Sequence, residues 1–139
     1  MCGIAGYIGQ SKNKELTYEL ASQLFDCIDS RGLDAAGWWG TQRLGNKIFY
    51  HKEPIPSSKL VQKKAWKDLG SFDCDMMLLH ARATSPGVGH SKYNQNNHPF
   101  VTTDCRVGLI HNGKLPDKEY KALKQKYECR SDCDSEILL

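Results

Sequence analysis

Cys2 stands directly behind the initiator methionine, in the opening stretch MCGIAGYIGQ. Once Met1 is removed, this residue carries a thiol and a free α-amine, a group with a pKa of about 7.7–8.0. A useful fraction of such an amine is neutral near pH 7.5 and can accept the thiol proton, so base and nucleophile share one residue. The alternative is a buried structural cysteine. Gly3 and Gly6 favour the nucleophile, because they let a backbone pass close to a substrate.

A second candidate for chemistry is the segment IHNGKL, which contains Asn112 and Gly113. Acyl transfer requires hydrogen-bond donors aimed at the developing oxyanion. An Asn side-chain amide and the N–H of the following Gly form such a pair at a strand end. Asn-Gly is also the commonest signal for a tight turn, so this pattern alone leaves both interpretations open.

Arg82 ends the apolar run of the segment LLHARATSPG. A long cation is unfavourable in such a place unless it is paired, and its planar fork suits a carboxylate. A substrate with an α-carboxylate would therefore explain Arg82, and a surface arginine at a strand end is the alternative. His80 lies inside the same run and could be a catalytic base, but its position favours a core histidine.

Two carboxylates near the end of the chain, Asp132 and Asp134, lie in the segment SDCDSE. A substrate α-ammonium would need an acidic partner of this kind. Helix capping is the alternative, because carboxylates stabilise the first turn of a helix. Capping and binding are compatible, so neither is excluded at this point.

The composition is that of one globular domain: 139 residues, 40% hydrophobic and 25% charged, with a net charge of +3. Lysines near 59–67 and 114–126 alternate with acidic and apolar residues, which indicates solvated helix faces rather than a nucleic-acid footprint. No run approaches the roughly 18 apolar residues of a transmembrane helix. A signal-peptide pattern is also lacking. We expect a cytoplasmic protein without nucleic-acid or membrane partners, whose six cysteines are free thiols.

The elements that must position these residues alternate between strand-like and helix-like patterns. Strands are predicted at 3–8, 36–41, 46–52, 75–82 and 105–111, with a turn at Gly45-Asn46. Helices are predicted at 14–28, 59–69 and from Asp117 to about 127, and a further helix begins in SDCDSEILL. The first helix carries apolar residues at strict four-residue spacing, namely Leu16, Leu20, Leu24 and Ile28. Because clear βαβ spacing is lacking, we predict a layered α+β sandwich.

Taken together, these stretches resemble the class II glutamine amidotransferase domain, in the N-terminal nucleophile hydrolase superfamily. MCGIAGYIG resembles the family's Cys-Gly-Ile start, and SRGLDAAGW its Arg-Gly-x-Asp-x-x-Gly stretch. HARATSPG is similar to its glutamine clamp, HNG to its oxyanion pair and SDCDSE to its late acidic segment. The five stretches occur in the family's order over essentially the whole chain. An Asn-x-His-Pro stretch in SKYNQNNHPF resembles the branch that aminates fructose 6-phosphate.

The resemblance implies roles for the residues around the nucleophile. Cys2 would attack the substrate, with its own α-amine as the base. Asn112 and the N–H of Gly113 would form the oxyanion hole. Arg31 and Asp34 would be structural and would shape the loop near the nucleophile.

The resemblance also implies how L-glutamine is held. Arg82 would bind its α-carboxylate, and Asp134 would bind its α-ammonium, with Asp132 the less favoured choice. The backbone near Ala83 and Ser85 would line the pocket. No metal or organic cofactor is needed for this step.

The implied fold is the αββα sandwich, and the implied reaction converts glutamine to glutamate and ammonia through a Cys2 thioester. Ammonia would pass to a synthase domain or subunit. Residues 1–139 would form the N-terminal part of a type 2 glutamine amidotransferase domain, without its later strands or any synthase domain.

Two positions depart from the family pattern. Ala83 follows Arg82 where many members have an aromatic or bulky residue, and Ser85 stands where the sugar-aminating branch has threonine. Three other functions therefore stay open. These are an N-terminal-cysteine amidohydrolase acting on another amide, an incomplete or non-catalytic binding module, and a redox or metal protein built on the six cysteines.

Overall fold

A four-stranded antiparallel sheet with strand order β1-β4-β2-β3 forms the centre of the molecule. The computed structural model describes residues 1–9, 13–42, 47–70 and 74–139. The four strands are β1 (Gly3–Ile8), β2 (Ala35–Gln42), β3 (Lys47–Glu53) and β4 (Met76–Arg82). The strand predictions for these segments are confirmed. The turn predicted at Gly45-Asn46 lies outside the described residues.

Strand β4 lies between β1 and β2 and is largely buried, as its nearly continuous apolar sequence requires. Gly3 pairs with Ala81 on one side, and Ala35 pairs with Arg82 on the other. This register brings the start of the chain beside the C-terminal end of β4. The nucleophile candidate Cys2 is thereby placed next to the Arg82 segment.

The first helix, α1 (Lys14–Asp29), packs against β1 and β4, but not on the predicted row of leucines. Its buried residues are Thr17, Ala21, Phe25 and Ile28. Leu16 is 55% exposed, so this part of the prediction is wrong. Each four-residue step advances about 40° around a helix. The row therefore turns around the helix, so that Leu16 faces solvent, Leu24 is half-buried against the core and only Ile28 is buried in it.

Phe25 provides a direct test of the buried helix face. Its ring centroid lies 4.9 Å from that of Trp66, and both residues are fully buried. We expect Phe25→Ala to lower the free energy of unfolding by about 3–5 kcal/mol. The matched change Leu16→Ala should alter it by less than about 0.5 kcal/mol. Urea unfolding measures both, and equal losses would contradict the assignment.

Two short helices, α2 (Ser57–Leu60) and α3 (Lys64–Leu69), replace the single helix predicted at 59–69. Leu60 and Leu69 are both buried. Residues nine apart lie on opposite sides of a continuous helix, so one helix would have to expose one of them. The break at 61–63 lets both leucines face the core.

The segment predicted as a central strand at 105–111 is instead mostly loop. Its two-residue strand β6 (Gly108–Leu109) pairs only with β5 (Phe100–Val101) in a separate sheet. A tight turn occupies the preceding residues, since the Asp104 carboxylate accepts hydrogen bonds from the Thr102 hydroxyl and the Arg106 N–H. These side-chain bonds compete with a regular strand.

The other elements in the described ranges are α4 (Asp117–Lys124) and two 3₁₀-helices, Asn94–Asn96 and Asp134–Leu138. Asp117 begins α4, but Pro116 occupies the capping position, so the predicted Asp117 cap is wrong. Within the described ranges, no helix has the length and apolar character needed to cross a bilayer. The mixed architecture with antiparallel sheets is compatible with the predicted α+β class, and the αββα sandwich stays a prediction.

Candidate active site

The Cys2 thiol is half-buried at the C-terminal end of β4. The Ala83 N–H donates to its sulfur at 3.4 Å, and the Ala83 carbonyl oxygen lies 3.5 Å from it. Arg31 Nε donates to the Cys2 carbonyl oxygen at 3.3 Å. Both the side chain and the backbone of Cys2 are thereby held by groups that the sequence motifs singled out.

The Arg31–Asp34 loop passes directly over the end of β4. A Cβ atom on Gly32 would lie 2.4 Å from the backbone carbon of Arg82, so only glycine permits this approach. The Asp34 carboxylate accepts a hydrogen bond from the Thr84 N–H at 2.7 Å. This loop therefore ties the backbone beyond β4 to the start of the chain.

Arg82 is 3% exposed, so the alternative of a surface arginine is wrong. Its Nη1 donates to the Asn96 carbonyl and to Asn97 Oδ1, and its Nη2 donates to the Gly89 carbonyl. Two of its five N–H groups, one on Nε and one on Nη2, have no acceptor among the described residues. No carboxylate in the described part of the chain forms an ion pair with this buried guanidinium.

Asp134 is 4% exposed and begins the second 3₁₀-helix. Its Oδ2 accepts the Leu115 N–H at 2.6 Å, and its Oδ1 lies 3.4 Å from the Ser135 hydroxyl. No cation pairs with it in the described ranges. By contrast, Asp132 is exposed and lies 4.0 Å from Lys124 Nζ.

The predicted oxyanion residues lie on the loop after β6. Gly113 packs against the imidazole of His111, since an added Cβ would lie 2.6 Å from His111 Nε2. His111 Nδ1 lies 2.9 Å from the Ser135 hydroxyl. The Asn112 side chain is exposed and does not line the cleft that Gly113 enters.

One narrow cleft of about 20 Å³ brings most of the predicted residues together. The predicted residues that line it are Cys2, Arg82, Ala83, Ser85, Gly113 and Asp134. Residues that sequence reasoning had not assigned to the site also line it, namely Val88, His98, His111, Cys133 and Ser135. Four of these five, all except Val88, lie inside sequence motifs quoted above. Their position in those motifs is the signal that could have identified them. The cleft has room for about one water molecule.

Comparison with known proteins finds relatives that align with the whole of this chain. The glutamine–fructose-6-phosphate aminotransferase of Staphylococcus epidermidis strain RP62A is 32% identical over 143 aligned residues, which cover all of this chain. The same enzyme of Staphylococcus aureus strain Mu50 is 30% identical over the same length. The chain belongs to the class II glutamine amidotransferase family. It spans 22% of the length of these curated relatives. No protein-family model matches it.

Two buried histidines stack at the cleft in this amidotransferase-family chain: His98 lines it, and His80 lies behind His98. The rings of His80 and His98 stack with centroids 4.1 Å apart. Burial lowers the pKa of His80 to about 4; the hydrogen bond to the His111 carbonyl opposes this shift, and the nearby Arg82 guanidinium adds to it. Burial also lowers the pKa of His98 well below its ordinary value. Both rings are therefore neutral at pH 7.

Lys52 is a third titratable group behind the cleft. Its Nζ donates to the Asn97 carbonyl and lies 4.8 Å from the centre of the Phe100 ring. Burial lowers the pKa of this lysine to about 8. Lys52 and Arg82 thus hold the same short segment from two sides.

Acidification is expected to destabilise the folded chain between about pH 6.5 and pH 4. In this window the unfolded chain binds a proton on His80, whereas the folded chain, with a pKa of about 4, does not. The stabilisation is complete above about pH 6.5, declines as the pH falls and is lost near pH 4. His98 acts in the same direction. The slope for each histidine reaches at most about 1.4 kcal/mol per pH unit.

Urea unfolding at pH 7.5 and pH 5.0 measures this loss. His80→Gln removes one titrating group but keeps an amide N–H donor. The free energy of unfolding of this variant should therefore fall less between pH 7.5 and pH 5.0. An identical decline in the variant and the unmodified chain would contradict the assignment to His80.

Proposed function

We propose that this chain is the glutaminase part of a class II amidotransferase and hydrolyses L-glutamine to glutamate and ammonia. One observation carries the proposal. Beside the Cys2 thiol, the cleft holds one buried cation, Arg82, and one buried anion, Asp134, and neither has an ionic partner among the described residues. Buried charges are unfavourable unless they are paired. The α-carboxylate and α-ammonium of an amino acid would supply both missing partners.

The donor pattern of Arg82 supports the carboxylate half of this assignment. Three bonds to the 89–97 segment fix the guanidinium, and the two remaining N–H groups are on Nε and Nη2. A fork of this kind suits the two oxygens of a carboxylate. Asp134, already fixed by the Leu115 N–H, would accept hydrogen bonds from the substrate ammonium.

The proposed reaction begins at the thiol of Cys2. The α-amine of Cys2 takes the thiol proton, and the sulfur attacks the side-chain amide carbon of glutamine. The Asn112 amide and the Gly113 N–H stabilise the oxyanion that forms. When this intermediate collapses, the C–N bond breaks and the protonated amine gives its proton to the departing ammonia. Water, activated by the same amine, then hydrolyses the thioester to glutamate.

This chemistry requires that Met1 be removed, because a retained Met1 acylates the amine that serves as the base. Met1 is 87% exposed, so an aminopeptidase has access to it. Cys2 itself is held through its carbonyl by Arg31, which would keep the new terminus in place. Glutamine would also have to widen the cleft on the side of Ser85 and Val88, and Asn112 would have to turn inward.

The wider setting belongs to the same proposal. Residues 1–139 would be the N-terminal part of a type 2 amidotransferase domain with the αββα fold. The ammonia would pass to a synthase domain or subunit in the cytoplasm. Since the relatives are named for fructose 6-phosphate, that sugar is the acceptor to test first.

The test is a glutaminase assay on purified protein whose loss of Met1 has been checked by intact mass. Release of ammonia from L-glutamine, with little release from N-acetyl-L-glutamine, would support the proposal, because acetylation removes the charge that Asp134 would bind. Equal hydrolysis of both would instead indicate an amidohydrolase of another specificity. If processed protein hydrolyses neither amide, the glutaminase proposal fails, and calorimetric binding of glutamine would then favour a binding module.

A further inference from the structure

His80 connects the central strand to the loop that carries Asn112 and Gly113. It lies in β4 two residues before Arg82 and is completely buried. Its Nε2 lies 3.1 Å from the His111 carbonyl oxygen. A carbonyl oxygen can only accept a hydrogen bond, so the neutral ring carries its proton on Nε2 and donates it.

The loop held by this bond has few other attachments. Residues 110–115 follow the two-residue strand β6 and make no backbone–backbone hydrogen bond with the described residues. Among the described residues, four contacts that involve side chains hold the loop: His80 to the His111 carbonyl, the His111 ring to Ser135, the Leu115 N–H to Asp134, and a solvent-exposed ion pair between Lys114 and Asp117. Only the first of these contacts reaches the central sheet.

The His80 ring is itself held in place. The His98 ring stacks on it at 4.1 Å with an interplanar angle of 27°. The His98 backbone in turn lies against Gly37 of β2, where an added Cβ would lie within 2.2 Å of the His98 carbonyl oxygen. The donor therefore has one orientation, which is set by packing.

We infer that His80 is a positioning residue that fixes the oxyanion loop relative to the nucleophile. The same strand leads directly to Ala83, whose N–H contacts the Cys2 sulfur. The rigid strand β4 thus sets the position of the Cys2 sulfur and also that of the His111 carbonyl, which directly precedes Asn112 in the chain. Oxyanion donors act only within about 0.5 Å of the productive geometry. The inference rests on the proposed function.

Three variants of the full chain test this role. His80→Leu removes the donor, and His80→Gln keeps an amide N–H near the position of Nε2. Met77→Leu is the matched control, because Met77 is buried in the same strand on the opposite sheet face and the exchange conserves volume. Rates of ammonia release are measured together with hydrogen–deuterium exchange of the peptide that spans residues 110–115.

His80→Leu should lower kcat by about 10²-fold, as expected for a small misplacement of catalytic donors. KM for glutamine should change little, and exchange at 110–115 should rise. His80→Gln should recover most of the lost kcat and most of the exchange protection at 110–115. Met77→Leu should leave kcat and exchange unchanged. Alkylation of Cys2 by iodoacetamide should proceed at the same rate in all variants, because the thiol and its Ala83 contact are untouched.

Several outcomes would overturn the inference. An unchanged kcat in His80→Leu excludes a positioning role, and an equal loss in His80→Gln excludes the Nε2 hydrogen bond as its cause. If the unmodified, processed chain releases no ammonia, the proposed function itself fails. In that case hydrogen–deuterium exchange alone tests whether His80 anchors the loop. Equal exchange at 110–115 in His80→Leu and in the unmodified chain would show that it does not.

Discussion

Replacing Cys2 with alanine is expected to reduce ammonia release from glutamine to the background of the assay. The change removes the only atom proposed to form a bond to the substrate, and the α-amine alone cannot form a thioester. The fold should survive, because the hydrogen bonds of the half-buried sulfur to the described residues are two long ones, to the N–H and the carbonyl of Ala83. Surface-like substitutions of this kind usually change stability by about 0.5 kcal/mol or less.

The matched control is Cys27→Ala, since Cys27 is a free, exposed thiol on α1. This variant should keep full activity and should unfold at the same urea concentration as Cys2→Ala. Ammonia release by Cys2→Ala at the rate of the control would refute the nucleophile assignment. Circular dichroism of both variants separates a lost reaction from a lost fold.

Replacing Asp134 with asparagine is expected to weaken glutamine binding strongly. The change keeps the size of the side chain and an oxygen for the Leu115 N–H, but it removes the charge proposed to bind the substrate ammonium. Truncating one partner of a buried charge pair typically costs about 2–5 kcal/mol. At tenfold for every 1.4 kcal/mol, kcat/KM should fall by between about 30-fold and several thousandfold.

Asp132→Asn provides the control, because Asp132 is an exposed carboxylate two residues away. It should leave kcat/KM within about a factor of two, which is the range of surface substitutions. The Asp134 variant should also lose most of its preference for L-glutamine over N-acetyl-L-glutamine. A larger loss in Asp132→Asn than in Asp134→Asn would reassign the ammonium site.

The sequence predicted the central strands well because their patterns reflect local physics. An apolar run such as MMLLHAR can be buried on both faces only in a central strand, and β4 has that position. The motif residues at its end then lie beside the chain start through strand register alone. For this reason Cys2, Arg82 and Ala83 were expected in one place and were found there.

Other features depended on contacts that no local pattern contains. The loop at 110–115 is positioned by His80 and Ser135, which are 31 and 24 residues away from His111 in the chain. The residues just before β6 form a turn because Asp104 accepts hydrogen bonds from its neighbours, although the composition of 105–111 favours a strand. The helix face was misplaced because four-residue spacing only approximates the helical period of 3.6. The exposed position of Asn112 likewise had no signal in the sequence.

The three acceptors that hold Arg82 have a consequence for how tightly a ligand can be bound. A free arginine side chain loses about 2 kcal/mol of rotamer entropy when it is immobilised. Here Asn96, Asn97 and Gly89 fix the guanidinium during folding, so that loss precedes ligand capture. Under the proposed function, an arriving carboxylate would meet a preorganised fork and would keep more of its contact energy as affinity. The dissociation constant would thus depend on the 89–97 segment, none of whose residues lines the cleft.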